Sequence, residues 1–303
     1  MKNVLLPVVI DSSILAMEVI KKIGAARDKI AALKGDGISI GLVPTMGALH
    51  QGHLSLVERS ISENDITIAS IFVNPIQFNN KKDLTKYPVS IKEDLAALEE
   101  NGCSYVFMPS VDEMYPSDPK TSVSFGRLDT IMEGKHRPGH FNGVAIVVAK
   151  LFAILSPTRA YFGQKDLQQY KIIEQLVRDL SLAVEMRMMP IIREANGLAM
   201  SSRNQQLSNL GKEISGEIYT SMNQAADSIM KGLPASQAIE QAYNHLMKFE
   251  AIQVEYFEVV NFDNLSEVRT ETNNDPLVLC FAGYVENIRL IDNLIIERKK
   301  EEG

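Results

Sequence analysis

Cysteine is nearly absent from this 303-residue chain: Cys103 and Cys280 are the whole complement. They stand far apart in sequence, so neither a disulfide framework nor a cysteine-based metal site follows. Each reads as a plain buried thiol, and a reducing cytoplasm is the expected compartment. No apolar run approaches the roughly 20 residues needed to span a bilayer. Residues 1–10 (MKNVLLPVVI) are apolar but lack a convincing charged start and a small-residue cleavage site, so they do not read as a signal peptide. Positive charge is not in excess either. A formal net charge of −7 argues against a protein whose main task is gripping nucleic acid, because neutralising phosphate needs surplus Lys and Arg. A local basic pocket stays open. There is no internal repeat, no low-complexity segment, no GxGxxG and no GxxxxGK[ST]. What remains is a globular composition, 45% hydrophobic and 23% charged, long enough for two domains or one large one with a real core.

The first two-thirds alternates apolar runs with amphipathic stretches. Residues 13–33 read as a helix, 38–43 as a strand and 54–62 as a helix. A continuous apolar strand (66–73), a helix stopped by Gly102 (91–101) and a short strand before Pro109 (105–108) follow. Residues 144–155 read as a buried helix, 159–162 as a strand, 168–180 as a helix and 184–192 as a strand. Strands alternating with helices predict a Rossmann-like α/β fold, a parallel sheet flanked by helices on both faces. Ligands of such sheets bind outside the carboxyl ends of the strands. His50 and His53 follow one such end, Asn74 and Gln77 a second, Gln164, Lys165 and Asp166 a third, and Ser201, Ser202 and Arg203 come soon after a fourth. Near Pro190 the character changes. Residues 210–249 are largely helical with a break at 232–234, and 253–260, 276–282 and 288–296 are strand candidates. The expected organisation is a ligand-binding domain over 1–189 and a smaller α+β lid domain over 190–303, with a frayed charged tail from 299.

Each polar cluster has a bland reading beside the chemical one. The stretch ISIGLVPTMGALHQGH places His50 and His53 where a buried strand hands over to a helix, and a helix N-terminus attracts phosphate. The pair could instead hold zinc, but no third ligand lies nearby where three or four are wanted, or be incidental to a Gly-rich turn. In FVNPIQF, Asn74 and Gln77 carry amides suited to hydroxyl and carboxylate groups, or Asn74 merely caps the turn at Pro75. In GKHRPGHFNGV, Arg137 could clamp an anion beside His136 and His140, or the segment is a solvated loop; for His136 alone the solvated loop is favoured. Lys165 in YFGQKD could neutralise a triphosphate oxygen or form an exposed charge pair with Asp166. In GLAMSSRN, two hydroxyls and a guanidinium suit a phosphate-binding loop, or the serines cap the next helix.

Taken together and in this order, the clusters resemble class I adenylate-forming enzymes, in which an HxxH-like turn and a later KMSKS-like loop flank ATP. The segments PTMGALHQGH, IFVNPIQF, RPGHFNGV, YFGQKDLQQ and GLAMSSRN, with VEYFEVVNFDNL and RLIDN near the end, resemble the pantoate–β-alanine ligase family from about residue 2 to 293. The resemblance implies condensation of pantoate with β-alanine, driven by ATP through a pantoyl-adenylate, giving AMP and pyrophosphate. It implies an ATP site at Met46, Gly47, Ala48, Leu49, His50, Gln51, Gly52 and His53, at Gly163, Gln164, Lys165 and Asp166, at Ile192, and at Met200, Ser201, Ser202 and Arg203. It implies pantoate at Gln77 and Gln169, with β-alanine also at Gln77. His53 is the residue the family assigns as proton donor, and His50, Lys165 and Arg203 supply charge and hydrogen bonds where the transition state needs them. Whether His53 moves a proton or only holds charge is open, with electrostatic stabilisation the reading preferred. Mg²⁺ is expected to arrive with ATP, its ligands unassigned; Glu93 and Asp94 read as a solvated helix face. A homodimer is expected, with neither nucleic acid nor membrane as partner. Two departures stand out: Gln164 replaces a more usual Glu, and Val89 a frequent Arg. The alternatives are another nucleotidyl- or adenylyl-transferring enzyme of the same superfamily, and a catalytically silent binding protein on the same fold. A nucleic-acid-binding relative fits the acidic balance least.

Overall fold

The structure, a computed structural model, describes residues 17–79, 84–85, 87–268 and 275–297. Continuous β-branched and aliphatic runs form the centre of a six-stranded sheet. Its strands are β1 (Glu18–Ile20), β2 (Ile40–Thr45), β3 (Ile66–Ile71), β4 (Tyr105–Phe107), β5 (Arg159–Gly163) and β6 (Glu185–Met189). They lie in the order β1-β4-β3-β2-β5-β6, and every pairing is parallel. Helices α1 (Ile23–Gly35), α2 (Gln51–Glu63), α3 (Ile91–Glu100), α4 (Val111–Met114), α5 (Met132–His136), α6 (His140–Leu155) and α7 (Leu167–Asp179) connect and cover it.

Alternating side chains of one strand enter different cores. Leu42 joins Ile40, Ile68, Phe107 and Phe162 under α6, which contributes Val144, Val148, Leu151 and Phe152. Val43 joins Ala69, Val106 and Tyr161 against Leu56 and Val57 of α2 and Leu98 of α3. Burial on both faces is what a central parallel strand requires, and truncating such a residue to Ala costs about 2–5 kcal/mol.

The single helix expected over 13–33 is not what forms. Glu18–Ile20 is an edge strand paired with Tyr105–Phe107, and α1 begins only at Ile23; residues 13–16 lie outside the described range. Sheet pairing of Val19 and Ile20 outweighs a weak helical period, because strand preference is decided by tertiary neighbours. Two helices also start earlier than their apolar spacing suggests. α2 begins at Gln51 and α6 at His140, which draws His53 and His140 into first helical turns.

Beyond β6 the chain forms α8 (Asn209–Met230), α9 (Ala235–Leu246) and a three-stranded antiparallel sheet of β7 (Ile252–Asn261), β8 (Leu277–Val285) and β9 (Ile288–Ile296). The β8–β9 hairpin turns on Glu286 (φ 50°) and Asn287 (φ 67°), the left-handed pair that matches strand twist in a two-residue turn. Both cysteines are free and buried. Among the described residues no helix is long and apolar enough to cross a membrane.

Strand order places the ligand crevice. From β2 the chain proceeds to β3 and β4 on one side, while β5 and β6 lie on the other. The switch therefore falls between β2 and β5, the position where open parallel sheets bind ligands. β9 closes over it through Arg193, whose guanidinium donates to both carboxylate oxygens of Asp292 at 2.6 and 2.9 Å. The Asn293 amide adds bonds to the carbonyls of Gln164 and Lys165 at 2.8 and 3.0 Å.

Candidate active site

A cavity of about 250 Å³ opens at the carboxyl ends of β2 and β5. One wall is the turn after β2. Gly47 and Ala48 both take positive φ, 80° and 50°, which is natural for glycine and costs an alanine about 1 kcal/mol or more. Asp94 of α3 holds that turn: one carboxylate oxygen accepts the Ala48 N–H at 2.8 Å and the other the Leu49 N–H at 2.8 Å. Ser90 Oγ donates to the second oxygen at 3.0 Å. Asp94 is 2% exposed, so the solvated helix face expected of Glu93 and Asp94 holds only for Glu93, which is exposed.

His50 is the N-cap of α2. Its Nδ1 accepts the Gly52 N–H at 3.1 Å, and His53 Nδ1 accepts the His50 N–H at 3.4 Å. An imidazole nitrogen that accepts a hydrogen bond carries no proton, so each neutral ring bears its hydrogen on Nε2. Burial, with Lys165 nearby, lowers the His50 pKa to about 4. Burial, then His50 and Lys165, lowers His53 to about 3. Both rings are therefore neutral near pH 7. A Cβ on Gly52 would sit 2.9 Å from the His50 ring, so a side chain there would displace that ring.

Opposite lies the strand end of β5. Lys165 lines the cavity with Asp166, their charges 3.8 Å apart. The loop after Ile192 supplies Met200, Ser201, Ser202 and Arg203 to the lining. Ser201 Oγ accepts the Arg203 N–H at 3.3 Å, and buried Asn204 anchors the loop to Glu194 at 2.9 Å and the Ala199 carbonyl at 3.1 Å. Tyr87 also lines the cavity and bonds Ser202.

A third set comes from the 3-10 turn Pro75–Gln77. Asn74 Nδ2 donates to Gln77 Oε1 and to the Gly143 carbonyl, both at 3.0 Å, while its Oδ1 accepts from Tyr115 at 2.9 Å. Among the described residues Gln77 Nε2 donates to Met46 Sδ, at 3.0 Å, a weak acceptor. Gly143 lets α6 meet this turn: a Cβ on it would lie 2.5 Å from the Ile76 carbonyl oxygen. Gln169 faces the cavity, whereas neighbouring Gln168 is buried and ties α7 to Leu128, Ile131 and Glu133.

The cavity thus gathers Met46, His50, Gly52, His53, Gln77, Gly163, Lys165, Asp166, Gln169, Ile192, Met200, Ser201, Ser202 and Arg203. Gly47, Ala48, Leu49, Gln51 and Gln164 do not line it. The amides of Ala48 and Leu49 are taken by Asp94, Gln51 is exposed, and Gln164 turns to Asn293 Oδ1 at 3.0 Å. Sequence reasoning did not assign Arg137, Asn74 or His140 to the site, although it singled out their motifs; all three line the cavity. His136 instead is exposed, 3.3 Å from Glu255. The sequence reading misplaced Asp94 at the surface and passed over Glu133. Glu133 lines the cavity, is buried and pairs with Arg289 of β9 at 2.7 and 2.8 Å. No local pattern signals either role, because the partners are distant in sequence. The zinc alternative finds no support: among the described residues no group of three or more His, Cys, Asp or Glu could hold a metal ion.

The family model for pantoate-beta-alanine ligase matches residues 18–295. The pantothenate synthetase of Cytophaga hutchinsonii is 47% identical over 278 residues, covering 91% of this chain and 98% of the relative. That of Caldicellulosiruptor saccharolyticus is 48% identical over 282 residues, covering 93% and 100%. Among solved structures, pantothenate synthetase from Thermus thermophilus superposes with a TM-score of 0.86 at 38% identity, covering 93% and 100%. The pantoate-beta-alanine ligase of Francisella tularensis, complexed with beta-gamma ATP and beta-alanine, has a TM-score of 0.77 at 34% identity, covering 94% and 99%.

Proposed function

The chain belongs to the pantoate-beta-alanine ligase family, and we propose that the cavity between β2 and β5 is where it carries out that reaction. The enzyme condenses pantoate with β-alanine using ATP, releasing AMP and pyrophosphate through a pantoyl-adenylate. In the first step a pantoate carboxylate oxygen attacks the α-phosphorus and the bond to pyrophosphate breaks. In the second the β-alanine amine attacks the acyl carbon, the bond to AMP breaks, and the amine loses a proton.

The observation that carries the site reading is that His50 and His53 each accept a backbone N–H at Nδ1, which leaves Nε2 as the donor of each neutral ring, in one cavity with Lys165 and Arg203. Charge grows on the pyrophosphate as it leaves, and fixed donors aimed at that charge lower the barrier. A neutral imidazole that surrendered its Nε2 proton would become an imidazolate anion, so these rings stabilise charge and do not donate protons. Gln77 Nε2 exchanges the Met46 sulfur for a pantoate oxygen, and Gln169, which lines the same cavity, meets pantoate as well. Phosphates lie between the His50–His53 turn and Ser201, Ser202 and Arg203. Holding acyl-adenylate and amine in one cleft supplies much of the second step, and exclusion of water protects the anhydride.

Mg²⁺ would arrive with ATP and be held chiefly by its phosphates. Of the two carboxylates among the described residues that line the cavity, Glu133 is consumed by Arg289. Asp166 is half-exposed and fits an ion that takes one or two carboxylates and otherwise keeps phosphate and water. Bound there, the ion would neutralise phosphate charge. The division at 189/190 is supported by β6 ending at Met189 before Pro190, and the second unit is read as a lid with residues 200–203 near its hinge. A cytoplasmic homodimer rests on the family resemblance.

Pantoate-dependent exchange of labelled pyrophosphate into ATP tests the assignment. Exchange that requires pantoate and precedes addition of β-alanine is expected; exchange at an equal rate without pantoate overturns it.

A further inference from the structure

We infer that Asp94 is a positioning residue for the reaction: its carboxylate clamps the turn that sets the two histidine rings. It is not among the residues that line the cavity, and it belongs to α3, more than forty residues from the turn it holds. Its role in the reaction rests on the catalytic reading of His50 and His53, but the clamp itself is separable from that reading.

The geometry is specific in three ways. First, both carboxylate oxygens are occupied by consecutive amides, Ala48 and Leu49, each at 2.8 Å. An ionised carboxylate is the side chain that offers acceptors alone, and it faces two N–H donors and the Ser90 hydroxyl at once. Second, the clamp closes on the residue in a disfavoured conformation. Ala48 has φ 50° next to Gly47 at 80°, and a non-glycine residue stays there only when its surroundings hold it. Gly47 is matched to the clamp as well, since a Cβ on it would lie 2.9 Å from the Asp94 oxygen. Third, the next residue is His50. Its backbone N–H is the donor to His53 Nδ1, and its ring receives the Gly52 N–H. The direction of both Nε2–H groups is therefore inherited from the backbone that Asp94 fixes. Release of the turn would loosen two rings together, while Gln77 keeps its bond from Asn74 and Gln169 stays on α7.

The test uses full-length protein with ring-¹⁵N-labelled histidine. The chain has five histidines, so His136, His140 and His245 serve as internal controls of folding. In the wild type, His50 and His53 show the Nε2–H tautomer. Asp94→Asn retains one acceptor but turns an NH₂ toward the second amide; Asp94→Ala removes both acceptors. The expected result is that both ring signals lose the fixed tautomer signature in Asp94→Asn while the three controls stay in place. Pantoate-dependent exchange then falls about 10- to 100-fold in kcat, the scale of a misplaced catalytic group. The KM for pantoate moves by less than about 3-fold, since ground-state binding is untouched. Asp94→Ala exceeds Asp94→Asn in both readouts; if Asp94→Ala does not fold, Asp94→Asn decides. Unchanged His50 and His53 signals in Asp94→Asn overturn the clamp, as does a loss of exchange that leaves them unchanged. Loosened rings in Asp94→Asn, together with full exchange in His53→Ala, leave the clamp standing and remove the catalytic reading instead.

Discussion

The backbone N–H of His50 donates to Nδ1 of His53, and the two rings lie with centroids 4.1 Å apart. One histidine caps the helix and the other, three residues on, satisfies the cap's own amide. This reciprocal arrangement is usually made by Ser or Thr with Glu or Gln. Built from imidazoles, it leaves two uncharged N–H donors at a helix start, where the backbone already favours anions.

Neutral rings have consequences for pH. In the unfolded chain histidine titrates near 6.5, against about 4 for His50 and about 3 for His53 in the folded chain. Below pH 6.5 the unfolded chain binds protons that the folded chain refuses. Stability is therefore full above about 6.5 and declines as pH falls toward about 4, by up to about 1.4 kcal/mol per pH unit for each histidine. His140, lowered to about 4 by burial, adds to the decline. Thermal unfolding between about pH 7.5 and 5 should show the melting temperature dropping, with a shallower drop in His53→Gln; an identical slope in that variant would refute the assignment. The rate of pantoate-dependent exchange should carry no histidine ionisation between about pH 6 and 8.

Removing one donor tests its worth. His53→Ala is expected to slow exchange by about 10²- to 10³-fold, as for other donors aimed at developing charge. His50→Ala should do the same and in addition weaken α2 by about 1 kcal/mol through the lost cap. Urea unfolding separates the two: a stability loss is expected to be larger for His50→Ala. Wild-type turnover in His53→Ala would discard its catalytic role.

Gly143→Ala addresses the pantoate side. The added methyl would meet the Ile76 carbonyl oxygen at 2.5 Å and Gln77 Cα at 2.7 Å, both backbone atoms that cannot swing aside. Overpacking of this kind costs about 1–3 kcal/mol. The displaced Pro75–Gln77 turn should raise the KM for pantoate well above that for ATP, measured in steady-state assays. Equal changes in both would show that the turn does not serve pantoate.

Arg289→Met tests the contact that ties β9 to α5. Arg289 donates to both Glu133 oxygens and to Glu255, with side chains of Arg289 and Glu133 only 15% and 10% exposed. Breaking a buried pair from one side costs about 3–5 kcal/mol, because the other charge is stranded. Arg289→Met with Glu133→Gln should recover part of that loss in a double-mutant cycle by chemical denaturation. Additive effects would mean that the two residues do not act as a pair.

Much of this molecule is legible in one dimension. The β2, β3 and β5 runs are continuous because both faces are covered, and Gly47 marks the turn after β2, although the strand runs through Pro44 to Thr45. The buried character of residues 144–155 is plain, since α6 is enclosed on nearly every side. The strand at Glu18–Ile20 is not legible: so short a segment shows no period, and its partner strand begins at Tyr105. Asp94 and Glu133 are equally silent. A buried carboxylate is recognisable only by the donors around it, and theirs come from the turn after β2 and from β9.

Residue order along the chain determined the alternation of strand and helix, the polar residues at each strand's carboxyl end, and a likeness specific enough to imply ATP, pantoate and β-alanine. Those depend on local chemistry and spacing, which a sequence carries directly. Tertiary structure alone decided that the switch between β2 and β5 brings separate loops to one cavity. It also decided the tautomer and charge of His50 and His53, because proton position follows from which backbone amides and which buried surroundings meet each ring, and those come from packing.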